Sequence, residues 1–425
     1  MSRLQEFFLN SHMKVSADKF LHSVLLLYFL YYFSLISFIS GFLGGKVGKN
    51  TVEEAASGNL INQIFGLLLL LLTVSSFFFS RRLSVKKFIF ENKILLVFII
   101  FCVFSFWWSV APFVSLRRFI AFSTLILSSY LICQVFSTRS LLNFLLNFIF
   151  AVTVIGIVYT LLSGKGLSFG FSSRELGLSG IFLDKNAAAR FYGYGVILLV
   201  ALKRFAVKRD VLILITLVIS LLLSQSVSAL GMTLIGCSLV IGLNIFRGRN
   251  ATESILRLMV FTVLSIVVIV SIKHAYEYLL NLLGRDPGLT NRGIIWELLQ
   301  PFIDDKPNLG YGFAAFWAGD TATAFIDRWG FIGNAHSGYY EILLNLGLVG
   351  LCLKILFIAH FFKLAIDCFI KNNLYASFFL SIVIVQAVIN YAGFVIFNHN
   401  SLDMVLFFLT YFLTIKELNK NGRKQ

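Results

Sequence analysis

The sequence predicts an all-α polytopic membrane protein, and three observations carry that fold class. Of 425 residues, 58% are hydrophobic and only 13% charged, which is more apolar surface than one soluble core uses. Apolar runs of about 20 residues, the length that crosses a bilayer as a helix, recur from one end to the other. Prolines number only four, so little in the chain breaks a helix inside those runs.

About twelve runs read as membrane helices. The clearest span 20–42, 60–80, 94–110, 119–136, 141–162, 255–272, 339–362 and 375–397, and shorter ones occupy 187–202, 211–224, 229–246 and 402–415. A polar break from Ser224 to Ser228 leaves a hairpin and a broken helix as alternatives within 187–246. The first run lacks a small-residue cleavage site, so it reads as a retained helix.

Orientation follows from lysine and arginine, because short basic loops stay in the cytoplasm. Every second loop is basic: Arg81, Arg82, Lys86, Lys87 and Lys93; Lys203, Arg204, Lys208 and Arg209; Arg247 and Arg249; Lys363 and Lys371; then Lys416, Lys420, Arg423 and Lys424. Both termini are therefore expected in the cytoplasm. The chain divides into a cytoplasmic segment 1–19, helices one to nine over 20–273, a large external loop 274–338, helices ten to twelve over 339–416, and a cytoplasmic tail 417–425. The net charge of +16 is largely this bias. No basic stretch carries the interleaved aromatics of a nucleic-acid module, so nucleic acid is not an expected partner. The five cysteines lie in or beside apolar runs without ligand spacing and read as small packing residues.

The external loop is the one soluble-like segment. Asp286 and Pro287 read as a turn, Thr290 and Asn291 as helix caps, and Ile294, Ile295, Leu298, Leu299 and Phe302 recur at helical spacing. They predict an amphipathic helix of about ten residues ending near Pro301. Arg292 falls in its first turn, where backbone N–H groups favour an anion and a guanidinium adds a bidentate fork; snorkelling to lipid phosphates is the alternative. In "LGYGFAAFW", Leu309 to Trp317, Gly310 and Gly312 permit tight turns or close approach to a ligand. Tyr311, Phe313, Phe316 and Trp317 offer an aromatic surface for sugar faces or for the membrane interface.

In succession, "TNRGIIW", "LGYGFAAFW" and "NAHSGYYEILLNLGLVG" resemble the signature region of the O-antigen ligase and polysaccharide polymerase family, multi-spanning bacterial enzymes that act on undecaprenyl-linked glycans. The likeness extends to "WSVAPFVSLRR", Trp108 to Arg118, and to "GIFLDKNAAAR", Gly180 to Arg190. Those two stretches are especially similar to the exopolysaccharide polymerases. Two positions depart from the pattern: Asp184 stands where a histidine commonly precedes the Lys-Asn pair, and Ser337 where asparagine is frequent.

The resemblance implies a glycosyltransferase of the inner membrane with its site facing the periplasm. The donor is an undecaprenyl-pyrophosphate-linked glycan, the acceptor a lipid-linked repeat or lipid A core, and membrane lipids surround both. The implied transfer is direct and inverting. It needs stabilisation of a leaving group that gains negative charge, by a metal or by fixed cations. Asp304 and Asp305 alone make no convincing metal set, whereas Arg117, Arg118, Lys185, Arg190 and Arg292 all fall on the outer side. A cofactor-free, cation-stabilised mechanism is the better fit. His336, Arg292 and Arg190 are the expected catalytic residues, with Lys185, Asn186, Arg117, Arg118, Tyr311, Tyr340, Glu341 and Trp296 expected to bind substrate.

His336 stands just before a helix N-terminus, with Asn334 or Ser337 available as cap, and an imidazole there can take the proton of an acceptor sugar hydroxyl. A capping or interfacial role is the alternative. Tyr340 and Glu341 follow one turn later, placed to orient the base or the sugar. Gln386, Asn390 and Asp403, polar residues inside apolar runs, line a carrier groove or bond helix to helix. A transporter or flippase of lipid-linked glycans is the competing class; its usual marks are inverted repeats with matching broken helices, and no convincing internal repeat is present.

Overall fold

The computed structural model describes residues 19–42, 59–79, 83–169, 176–202, 207–282, 292–330, 333–391, 393, 395–397 and 401–421. The chain is all-α apart from one small hairpin. In order it forms α1 (Lys19–Tyr32), α2 (Leu35–Phe42), α3 (Leu60–Phe79), α4 (Val85–Glu91), α5 (Lys93–Phe104), α6 (Pro112–Val135) and α7 (Thr138–Ser163). The hairpin β1 (Leu167–Phe169) and β2 (Leu176–Leu178) follows, antiparallel with Leu167 opposite Leu178. Then come α8 (Lys185–Leu202), α9 (Lys208–Leu223), α10 (Val227–Ile245), α11 (Ala251–Leu282), α12 (Arg292–Asp305), α13 (Asp320–Trp329), α14 (Gly338–Ile370), α15 (Ala376–Ile389) and α16 (Leu402–Asn421).

Each apolar run read from the sequence is at least partly helical, but run 20–42 is split at Ser34, with φ 65°, into α1 and α2, and the helix of run 375–397 ends at Ile389. Among the described residues five helices, α3, α6, α7, α10 and α14, are long and apolar enough to cross a membrane on their own. A sixth span arises if α4 and α5, which meet at a 97° bend, count as one. The bend falls at Asn92, whose Nδ2 donates to the Phe88 carbonyl at 2.8 Å. The Ser224–Ser228 break separates α9 from α10, and Gln225 there is left-handed, with φ 51°. Two helices outrun their apolar parts: α11 continues to Leu282, into the segment expected as a loop, and α16 to Asn421. Good helix formers extend both after the apolar residues end.

α8 is the central element, packed against α7, α9, α10 and α15. Its "NAAARFYGYG" stretch explains this, since alanine and glycine let neighbouring backbones approach closely where no hydrophobic effect separates helix from lipid. Ala188, Ala189, Phe191 and Ile197 are fully buried.

The amphipathic segment departs from expectation in two ways. α12 runs through Pro301 to Asp305. A proline inside a helix costs about 3 kcal/mol, but here the turn beyond it is anchored: Ile303 is buried, Phe302 packs edge-on against Phe316, and Tyr311 Oη donates to the Phe302 carbonyl at 3.0 Å. The buried stripe is Ile295, Trp296, Leu299 and Ile303, and Ile294 faces outward at 57% exposure. Asp286, Pro287, Thr290 and Asn291 lie outside the described residues.

α14 is broken at Gly347, with φ 63° and ψ −162°. The break frees the carbonyls of Leu344 and Asn345 and the N–H groups of Leu348 and Val349, and the segment 307–312 takes all four. Tyr311 N donates to Leu344 O at 2.9 Å and Gly312 N to Asn345 O at 2.8 Å; Leu348 N donates to Pro307 O at 2.8 Å and Val349 N to Asn308 O at 3.2 Å. Non-helical backbone in a membrane protein survives only when its polar groups are satisfied by protein in this way. Glycine is required at the break, because its φ is positive and because a Cβ there would collide with the Asn308 carbonyl.

The break also folds the helix back. Lys354 Nζ lies 2.6 Å from the carbonyl of Gly338, sixteen residues earlier, a separation that a straight helix spreads over roughly 24 Å. The first arm, 338–346, therefore lies alongside the second, 348–370. The second arm alone is about 34 Å long, enough to cross a bilayer.

Candidate functional site

The stretches 108–118, 309–317 and 334–350 are joined by hydrogen bonds to one another and to Trp296, and Asp184 of the 180–190 stretch lies close enough to act on the His336 charge. The 108–118 stretch docks on 309–314: Trp108 Nε1 donates to Leu309 O at 3.0 Å, Val110 N to Tyr311 O at 3.0 Å, and Phe313 N to Ser105 Oγ at 3.0 Å. Arg118 adds a bond from Nη1 to the Ala314 carbonyl. Arg117, half-buried beside it on α6, lies close enough for the two guanidinium charges to act on each other.

The aromatic residues of 309–317 correct an expectation. Tyr311, Phe313, Phe316 and Trp317 are each at most 4% exposed, so they form no sugar-binding surface. Together with Ile295, Leu299 and Phe325, all but Phe313 build a small second core that supports the site from beneath. The one Tyr311 hydroxyl hydrogen is shared between the Phe302 carbonyl and Asp305 Oδ2, at 3.0 and 2.9 Å, and Gln300 Nε2 donates to Asp304 Oδ1 at 2.8 Å. Gly310 and Gly312 are left-handed, and what they approach is protein, the α14 break and Ser109 respectively.

His336 stands on the turn that enters α14. Its backbone is left-handed, φ 50°, an uncommon conformation for a residue with a side chain. It is held there locally: Asn334 Oδ1 accepts from His336 N at 2.8 Å, Glu341 Oε2 accepts from Ala335 N at 2.9 Å, and the Ala335 carbonyl accepts from Trp296 Nε1 at 3.0 Å. Ser337 occupies the N-cap position, yet neither it nor Asn334 caps the helix through its side chain. Glu341 is no sugar ligand here. Buried at 4% exposure, its carboxylate also accepts from Trp317 Nε1 at 3.1 Å and Asn345 Nδ2 at 3.0 Å, so it ties the His336 turn to the second core.

The aromatic wall of the site comes from elsewhere. Trp296 and Tyr340 stack with centroids 4.9 Å apart and planes 8° from parallel, and Tyr391 meets Trp296 edge-on. Tyr391 is 47% exposed and Tyr340 half-buried, so these two rings face outward, while Trp296 behind them is buried with the second core.

Charge gathers around the imidazole. Burial, first, and then the Arg292 guanidinium push His336 down to about 4, with Asp184 opposing them. The ring is therefore neutral near pH 7. Arg292, the first residue of α12 and half-buried, is lowered by burial from its ordinary value and remains a cation.

The α8 residues form a second group. Asp184 caps that helix, accepting from Asn186 N at 3.2 Å and Ala187 N at 3.1 Å. Lys185 is buried, its stem against Gly177, and Asn186 Oδ1 accepts from Ser226 Oγ at 2.8 Å, which locks the turn to the polar break before α10. Arg190 forms a bidentate pair with Asp403: Nε to Oδ1 at 3.0 Å and Nη2 to Oδ2 at 3.0 Å. Tyr194 Oη donates to Asp403 Oδ1 at 2.8 Å and Gln386 Nε2 to the Asp403 carbonyl at 2.8 Å. Of the two readings of Gln386 and Asp403, the bond between helices is the one observed. Nη1 of Arg190 is left outside the ion pair.

Lys354, Asn345 and the Asp403 pairing are site features that sequence reasoning missed. For Lys354 a signal existed, a lone cation in the middle of "LVGLCLKILFIAHFF".

Fold and site define an all-α membrane protein with a histidine, arginines and an aromatic wall in its candidate site. Residues 212–355 match the family model described as O-antigen ligase, which supports assignment of the chain to the O-antigen ligase and polymerase family of bacterial membrane proteins. The matched region runs from α9 into the second arm of α14 and contains Arg292, Tyr311, His336, Glu341 and Lys354. Arg117, Arg118, Lys185, Asn186 and Arg190 precede it. A comparison with curated proteins finds no match.

Proposed function

We propose that the chain is a membrane glycosyltransferase that moves an undecaprenyl-pyrophosphate-linked glycan onto an acceptor sugar hydroxyl at the periplasmic face of the inner membrane. The observation that carries this reading is the placement of His336 on the turn entering α14, close enough to Arg292 for their charges to act on each other and tied through Ala335 to the Trp296–Tyr340 stack. The acceptor hydroxyl oxygen attacks the anomeric carbon while His336 takes its proton. The bond from that carbon to the pyrophosphate oxygen breaks, and undecaprenyl pyrophosphate leaves with inversion. Arg292 and the free edge of Arg190 meet the charge it gains, in the manner of fixed cations aimed at a developing anion. Tyr340 and Tyr391 stack against sugar rings, with the buried Trp296 backing them.

Chain extension, with a lipid-linked repeat as acceptor, is favoured over ligation to lipid A core by the 108–118 and 180–190 stretches. The broken α14 is also a device that transporters use, so the deciding experiment measures both outcomes. Purified protein in liposomes, supplied with lipid-linked donor, should link sugars and release undecaprenyl pyrophosphate. Movement of donor across the bilayer without any linkage would overturn the enzyme reading.

A further inference from the structure

Lys354 is fully buried in the second arm of α14. Its Nζ donates to the Gly338 carbonyl at 2.6 Å and to the Ile396 carbonyl at 3.2 Å, and it lies over the rings of Tyr339 and Phe397 at 5.1 and 5.8 Å. An ammonium inside a membrane protein is costly unless bonded, and here two carbonyls and two ring faces replace its water.

Both carbonyls belong to chain that is leaving or entering a helix. Gly338 opens the first arm, two residues after His336, and its N–H donates to Asn390 O at 2.8 Å and Gly393 O at 3.0 Å. Ile396 belongs to the unwound stretch after α15, where Asn390 Oδ1 accepts from Val395 N at 3.3 Å and Ile396 N at 2.9 Å. Two non-helical segments thus face each other, and Lys354, brought back by the Gly347 fold, joins them.

We infer that Lys354 is a positioning residue: it clasps the His336 turn to the 390–397 segment and so fixes where the imidazole stands. This deepens the glycosyltransferase reading and rests on it for the word positioning; the clasp itself does not. Lysine suits the task because one Nζ supplies three donors on a stem long enough to cross between the arms. The geometry also explains how a left-handed histidine keeps one place at a helix entrance with no side-chain cap.

Lys354→Met, close in volume and without a donor, tests this in liposomes or nanodiscs. Amide exchange read by mass spectrometry should rise in peptides covering 335–341 and 390–397 and stay unchanged in α6, α8 and α16, because only a local clasp is lost. Turnover with lipid-linked donor should fall roughly 10²-fold, the scale of a small misplacement of a reacting group, with KM for the donor held. Lys354→Arg, which keeps a cationic donor, should recover part of the rate.

If Lys354→Met does not accumulate, Asn390→Ser loosens the same junction from the other side and should give the same local pattern. Exchange unchanged in both segments overturns the clasp, as does exchange rising across the whole bundle. Local loosening with full turnover overturns the positioning role. A wild-type protein that transfers nothing sinks the enzyme reading alone, since the exchange pattern still decides the clasp.

Discussion

Arg190 and Asp403 stand 213 residues apart in the chain and meet in a bidentate ion pair with two N–O distances of 3.0 Å. Arg190 therefore has two duties, one to the fold and one to the proposed leaving group, and substitutions at it report both. Arg190→Ala strands a carboxylate that is only 1% exposed, and breaking such a buried pair costs about 3–5 kcal/mol. Thermal unfolding of the detergent-purified variant should show that loss. Arg190→Met with Asp403→Met should be more stable than either single variant yet equally inactive in glycan transfer. A double variant no more stable than the singles would show that the pair is not the main consequence of the change.

Glu341 receives three donors: Ala335 N, Trp317 Nε1 and Asn345 Nδ2. Glu341→Gln keeps size and removes two lone pairs, so an amide N–H must face one of those donors. The expected result is a lower unfolding temperature and transfer reduced roughly 10²-fold through displacement of the His336 turn. Activity equal to wild type would show that the carboxylate is dispensable for holding that turn.

The helices were legible because apolar character is a local property, whereas the break at Ser34 and the unwinding after Ile389 fall inside apolar runs and leave no mark in them. The candidate site was legible as a set of stretches and not as an arrangement. The aromatics at 311–317 read as a surface for sugar faces or for the membrane interface, and they are core instead because the α14 break pulls 307–312 inward. Nothing local to Gly347 distinguishes it from Gly350, the other glycine of "NLGLVGL", and the four groups that pair there come from a different segment. The Asp403 partner of Arg190 was likewise invisible, since a bond between distant helices leaves no spacing to read. Pro301 misled because burial of Ile303 outweighs the local cost of proline.

Among the described residues no ion pair like that of Arg190 holds Arg292, the half-buried first residue of α12. Arg292→Ala should leave protein abundance and unfolding temperature near wild type and lower transfer efficiency, kcat/KM, by at least 10²-fold, on the scale of a lost transition-state donor. Arg292→Lys should recover only part, because an ammonium cannot reproduce the fork. Full transfer by Arg292→Ala would remove this residue from the mechanism.

Topology is an independent check. Reporters fused after Asn308 should register the periplasm, and those after Lys87 or Lys208 the cytoplasm, as the basic loops dictate. A cytoplasmic Asn308 would place the 307–312 segment, and with it the His336 turn, on the side opposite to the proposed chemistry.

His336 gives the sharpest test, because its backbone and its ring make separate demands. The left-handed φ of 50° is one that asparagine adopts more readily than most residues. His336→Asn therefore keeps the turn while removing a base, and His336→Ala removes the ring and strains the turn. If the imidazole takes the acceptor's proton, both should transfer 10²- to 10⁴-fold more slowly in single turnover, the range of general base catalysis, with donor affinity nearly unchanged. The pH profile adds a second constraint. With its proton affinity depressed by burial and by Arg292 to about 4, the ring is in its base form throughout the neutral range. Transfer efficiency at low donor concentration, which reports the free enzyme, should stay level down to about pH 5 and fall only as pH drops toward 4. A bound pyrophosphate adds negative charge near the ring, favours the imidazolium and should move the limb for kcat upward. Near-normal transfer by the asparagine variant, or an acid limb that survives in it unchanged, would assign the proton transfer to another group.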